Sequence, residues 1–169
     1  MTVKILFLDI DGVLNCMNVV DKKPSNDERV YGFNPDLVKN LKKVVDATGC
    51  RIVVSSSWRY HLDYAPFQPK MEWRKVLAEM MGYDASTLFI GNTPRGNSGK
   101  RGEEILAWIL ENKDAYGVYQ SVPIRICVVD DEIGDIICNI DSRNVVKTDM
   151  RKGLTEEDAD RIIEILNGD

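Results

Sequence analysis

The sequence predicts an α/β fold, a three-layer doubly wound (Rossmann-like) parallel sheet, from three observations. Strand-like and helix-like segments alternate along the chain. The first and a late strand read as near-continuous apolar runs, as strands buried on both faces do. Acidic or hydroxyl residues follow the strands directly, at the end where an open parallel sheet places its ligand site.

Residues 3–8 form the first apolar run, closed by Asp9, Asp11 and Gly12. A polar stretch over 15–32 follows. Asn34 is an N-cap and Pro35 the first helical residue of a helix that puts Leu37, Val38, Leu41, Val44 and Val45 on one face and stops at Gly49. "RIVV" (51–54) is a second buried strand ending at Ser55, Ser56 and Ser57. The spacing of Trp73, Val76, Leu77, Met80 and Met81 predicts a helix over 71–81, and "TLFI" (87–90) reads as a short strand. A helix over 102–112 points Ile105, Trp108 and Ile109 inward. "IRICVVDD" (124–131) repeats the opening pattern, 145–147 reads as a last strand, and Thr155 with Asp158 forms a capping box for a terminal helix. No repeat, linker or low-complexity segment interrupts the order, so a single domain over 1–169 is expected.

Composition narrows the function. The 169 residues are 44% hydrophobic and 29% charged, with a net charge of −5, which provides no basic field for nonspecific duplex binding. The apolar run at the N-terminus is broken by Asp9 and is too short for a signal peptide or a spanning helix, which predicts a cytoplasmic protein with no membrane association. Cys16, Cys50, Cys127 and Cys138 show no C-x-x-C pairing, and His61 is the single histidine, so neither a disulfide framework nor a zinc site is expected. The segment 91–101 lacks the glycine, lysine and hydroxyl spacing of a phosphate-binding P-loop. An EF-hand starting at Asp9 would need Glu where Val20 stands.

The acids remain. If the first and late strands are neighbours, Asp9, Asp11, Asp130, Asp131 and Glu132 converge in a small volume. Crowded carboxylates repel unless a cation neutralises them, and an all-oxygen set suits magnesium completed by a substrate phosphate.

"DIDGVL" (9–14), the strand ending in Ser55, Lys100 opening a helix, and "VVDD" (128–131) resemble, in order, the four motifs of the haloacid dehalogenase superfamily. More narrowly, "VVSSSWR" (53–59), "TPR" (93–95), "RGEEILAWI" (101–109) and "GLTEEDA" (153–159) are similar to the phosphatase-type domain of that superfamily in Swiss-army-knife RNA repair proteins. The resemblance implies a magnesium-dependent phosphatase. Asp9 would be the nucleophile that forms an aspartyl-phosphate, and Asp11 the general acid and then base. Gly12 would admit the backbone close to the phosphoryl oxygens. Ser55 would donate to a phosphoryl oxygen and Lys100 neutralise its charge, although the adjacent Arg101 competes for that place. Magnesium would be held by Asp9, the main-chain carbonyl of Asp11, and Asp131 directly or Asp130 through water.

The resemblance also implies a minimal cap, or none, since 15–32 has only loop size and 58–99 already holds a helix and a strand. An open site suits a bulky substrate, such as an RNA or DNA end. Ser56, Arg59, Arg95 and Arg101 would then contact it, with Trp58 or Tyr60 stacking on a base. Nucleotides or small metabolite phosphates are the competing substrates. The rival readings are a receiver-like phospho-signalling module and a non-catalytic phosphate-binding module. The sequence names no protein partner.

Overall fold

The computed structural model describes residues 2–16, 32–60, 72–116 and 123–168. The strands are β1 (Val3–Leu8), β2 (Arg51–Val54), β3 (Phe89–Asn92), β4 (Ile124–Asp130) and β5 (Val145–Lys147), in one sheet of order β3-β2-β1-β4-β5. Every pairing is parallel, so β1 and β4 are neighbours, in register from Val3 opposite Ile124 to Leu8 opposite Val129. The helices are α1 (Pro35–Thr48), α2 (Glu72–Met81), α3 (Ala85–Leu88), α4 (Arg101–Tyr116) and α5 (Glu156–Asn167).

Strand alternation sorts the core into two layers. Leu6, Leu8, Ile52, Val54, Cys127 and Val129 pack with α1, α2 and α5. Ile5, Phe7, Val53 and Val128 face the other way, against Ile105 and Trp108 of α4. Phe7 meets Trp108 edge to face, with centroids 5.5 Å apart. A sheet covered on both faces explains why β1 and the end of β4 carry no polar alternation.

Local signals set several boundaries. The Asn34 side chain accepts from Asp36 N and Gly49 closes α1 at φ 65°. The Thr155–Asp158 capping box is fully formed at α5. The 87–90 strand is corrected: Asp84 accepts from Ser86 N and caps a helical turn, so Thr87 and Leu88 belong to α3 and β3 begins at Phe89. α4 begins one residue before the expected 102–112 span and runs on to Tyr116. Short 3-10 turns at Ile136–Cys138 and Ser142–Asn144 join β4 to β5.

Cys16, Cys50 and Cys127 are buried and Cys138 exposed, all as free thiols. No described helix is long and apolar enough to cross a membrane. The two segments expected to leave no room for a large cap include residues 17–31 and 61–71, and these, with His61, lie outside the described residues.

Candidate active site

Four of the five strands, β1, β2, β3 and β5, continue the ladder for one residue beyond their ends, and that residue is polar. Asp9 N donates to Val129 O, Ser55 N to Leu8 O, Thr93 N to Val54 O and Thr148 N to Asp130 O. By alternation, Asp9, Ser55 and Asp130 follow Phe7, Val53 and Val128 onto the α4 side of the sheet. Carboxylate oxygens of Asp9, Asp130 and Asp131 lie within 4.8 Å of one another. Asp9 and Asp130 are 5% and 2% exposed. Burial and the nearby Asp9 charge push the Asp130 carboxyl up to about 7, against the opposing pull of Arg101. The same two causes raise Asp131.

The cation that answers these acids is Arg101. Its Nη1 donates to Asp130 Oδ2 at 3.0 Å and pairs with Asp9 Oδ1 at 2.9 Å. Burial would lower the Arg101 pKa, but Asp130 and Asp9 together outweigh it and leave it raised. Lys100 points elsewhere, with a side chain 61% exposed and 3.6 Å from Glu103. Of these two cations, Arg101 is the one that meets the clustered acids. Helical phase carries the reason, since Arg101 lies one turn before Ile105 and two before Trp108, both buried against the sheet.

Asp11 stands apart from the three clustered acids. Trp58 Nε1 donates to its Oδ2 at 3.0 Å and Asn15 Nδ2 to its Oδ1 at 2.8 Å. Gly12 turns the chain at φ 73°, where a Cβ would sit 2.6 Å from Asp131 Cγ. Glycine is favoured here by the left-handed turn and by the Asp131 side chain, and the Gly12 N–H is already engaged by Asn15. Ser55 is fully buried, and its hydroxyl has no hydrogen-bond partner among the described residues.

Several residues expected to contact a substrate are engaged within the protein. Arg59 is 6% exposed and donates to the Ser55 and Ser56 carbonyls; its guanidinium also pairs with buried Glu104. Glu104 Oε1 in turn accepts from Gly96 N at 2.8 Å, so the pair braces the Ser55 loop against α4 and the segment before it. Ser56 is buried and accepts from Trp58 N. Trp58 does not stack freely, because its ring packs on Phe33 and Trp73 at 5.5 and 5.7 Å. The Tyr60 side chain lies outside the described residues. The amino end of α4 is occupied as well, with Gly102 N donating to Asp135 Oδ2. Glu104, Asn15 and Asp135 escaped sequence reasoning. Glu104 and Asp135 reach partners distant in the chain, whereas Asn15 sits four residues from Asp11, a local spacing that could have exposed it.

No curated protein and no solved structure matches the chain. A family model for the HAD domain in Swiss Army Knife RNA repair proteins matches residues 5–159, from within β1 to the first turn of α5, and the chain belongs to that family.

Proposed function

We propose that the chain is a magnesium-dependent phosphohydrolase working through an aspartyl-phosphate on Asp9, with a nucleic-acid end as its substrate. One observation carries this reading: three carboxylates meet at the carboxyl end of a parallel sheet with Arg101 between two of them. A purely structural cluster has no need to bury acids beside a charge that pushes the Asp130 and Asp131 carboxyls up.

The donor set fits a hard divalent cation, being all oxygen and convergent within 4.8 Å. Asp9 and Asp131 would hold magnesium, with Asp130 and the Asp11 main-chain carbonyl completing the protein's share. Bound there, magnesium would offset the carboxylate repulsion and the charge on the phosphoryl oxygens.

The chain's own groups divide the remaining work. An Asp9 oxygen attacks phosphorus as the bond to the leaving oxygen breaks, and Asp11 gives that oxygen its proton. Asp11 then takes a proton from the water that attacks phosphorus, the Asp9 oxygen departs as carboxylate, and phosphate is released. Arg101 draws charge from the phosphoryl group, the role first open to Lys100. The unpartnered Ser55 hydroxyl donates to a phosphoryl oxygen.

The test is phosphate release from p-nitrophenyl phosphate with magnesium, expected to vanish with EDTA and in Asp9→Asn. Wild-type turnover by Asp9→Asn would overturn the nucleophile. A panel of 3′- and 5′-phosphorylated oligonucleotides, nucleotides and sugar phosphates then tests the substrate class, and rates confined to small metabolites would remove the nucleic-acid end.

A further inference from the structure

We infer that Trp58 is a positioning residue for proton transfer, holding the Asp11 carboxylate apart from the metal-binding acids; the inference rests on the acid/base role proposed for Asp11. Asp11 is only two residues from Asp9, on a turn that brings Gly12 against Asp131. An untethered carboxylate there could swing toward a cation held by Asp9, Asp130 and Asp131 and become one more ligand. A ligand carboxylate makes a poor proton carrier, because the cation competes for the same lone pairs.

The structure opposes that swing from both sides. Trp58 Nε1–H holds Oδ2 and Asn15 Nδ2 holds Oδ1. Each carboxylate oxygen has two acceptor sites, so one remains on each for the travelling proton. The indole is itself fixed. Its ring sits against Phe33 and Trp73, Trp73 meets Phe89 edge to face at 6.0 Å, and Trp58 N is tied to Ser56 Oγ. The aromatic group thus acts as a rigid mount whose one polar atom faces the proton carrier. The sequence suggested a base-stacking role for this tryptophan, but its ring is already packed and its N–H is committed to Asp11.

The test is Trp58→Phe, which keeps an aromatic ring between Phe33 and Trp73 and deletes the N–H. Two substrates separate positioning from general damage. An alkyl phosphate needs its leaving oxygen protonated, whereas p-nitrophenolate leaves with little help. Trp58→Phe should lower kcat/KM on glycerol phosphate by about tenfold, a fraction of what general acid catalysis supplies, and on p-nitrophenyl phosphate by less than about twofold. Equal losses on both substrates, or no loss on either while Asp11→Asn stays impaired, would overturn the proposal and leave the function standing. Full activity in Asp9→Asn would instead strike the function itself.

A second measurement reads the contact itself and needs no substrate. Of the indole N–H proton resonances, the one missing in Trp58→Phe should move upfield in Asp11→Ala, which removes its charged acceptor. An unmoved resonance would show that the contact is not held in solution and would overturn the proposal.

Discussion

Without a metal, raising the pH should destabilise this protein. Asp130 is 2% exposed, and its carboxyl is pushed from 3.8 in the unfolded chain up to about 7 by burial and by Asp9. Between those values the folded state holds a proton that the unfolded state has lost. The contribution of Asp130 to stability is therefore fully present below about pH 4 and is lost as pH rises through 7. At 1.36 kcal/mol per pH unit the whole window is worth about 4 kcal/mol, and the span from pH 5 to 8 about 3 kcal/mol. Asp131, raised by the same causes, shifts in the same direction.

The assay is urea unfolding in EDTA across that range. With an m-value of about 2 kcal/mol/M for a chain of this size, the midpoint should drop by about 1–1.5 M. Asp130→Asn, which keeps an oxygen for the Glu132 N–H now bound to Asp130 Oδ1, should flatten the slope. Magnesium should restore wild-type stability at pH 8 by binding only the folded carboxylates. A midpoint that stays level from pH 5 to 8 in EDTA, or a slope unchanged by Asp130→Asn, would refute the reasoning.

Other outcomes follow from the same geometry. Arg101→Ala should cost about 10²–10³ in kcat, as loss of a preorganised charge does, while Lys100→Ala should change it by less than about threefold; the reverse pattern would return the role to Lys100. Gly12→Ala should raise the magnesium concentration needed for half-maximal activity, because its Cβ would displace the Asp131 carboxylate. Its αL turn adds about 1–2 kcal/mol of destabilisation, readable in the same urea assay. Glu104→Gln should destabilise by about 3–5 kcal/mol by leaving the Arg59 charge buried without its partner, and Arg59→Met with Glu104→Leu should recover much of that loss.

What the sequence disclosed depended on how far apart the cooperating residues lie. α1 and α5 were legible because a cap, a periodic face and a stop signal all fall within 15 residues or so. β1 and β4 were legible because strands buried on both faces are mostly apolar, and the acids at their carboxyl ends were conspicuous for the same reason. The Thr87–Leu88 turn was misread, because a four-residue helix is too short for periodicity to distinguish it from a strand. Arg59 looked like a surface arginine because Glu104, which neutralises it, is 45 positions away. The Arg101 assignment, by contrast, was available in principle, since counting back one turn from Ile105 reaches Arg101 and not Lys100.

The neighbouring strands carrying Asp9, Ser55 and Asp130 tie the chemistry to counting. Phe7 faces α4 and Leu8 faces α1, so the next side chain is turned toward α4 and Arg101. Adding or deleting one residue inside β1 would preserve its apolar character yet rotate Asp9 to the opposite layer, among Val38 and Leu41. The odd-even parity of a six-residue strand thus decides whether the carboxylate meets a partner or is stranded in hydrocarbon.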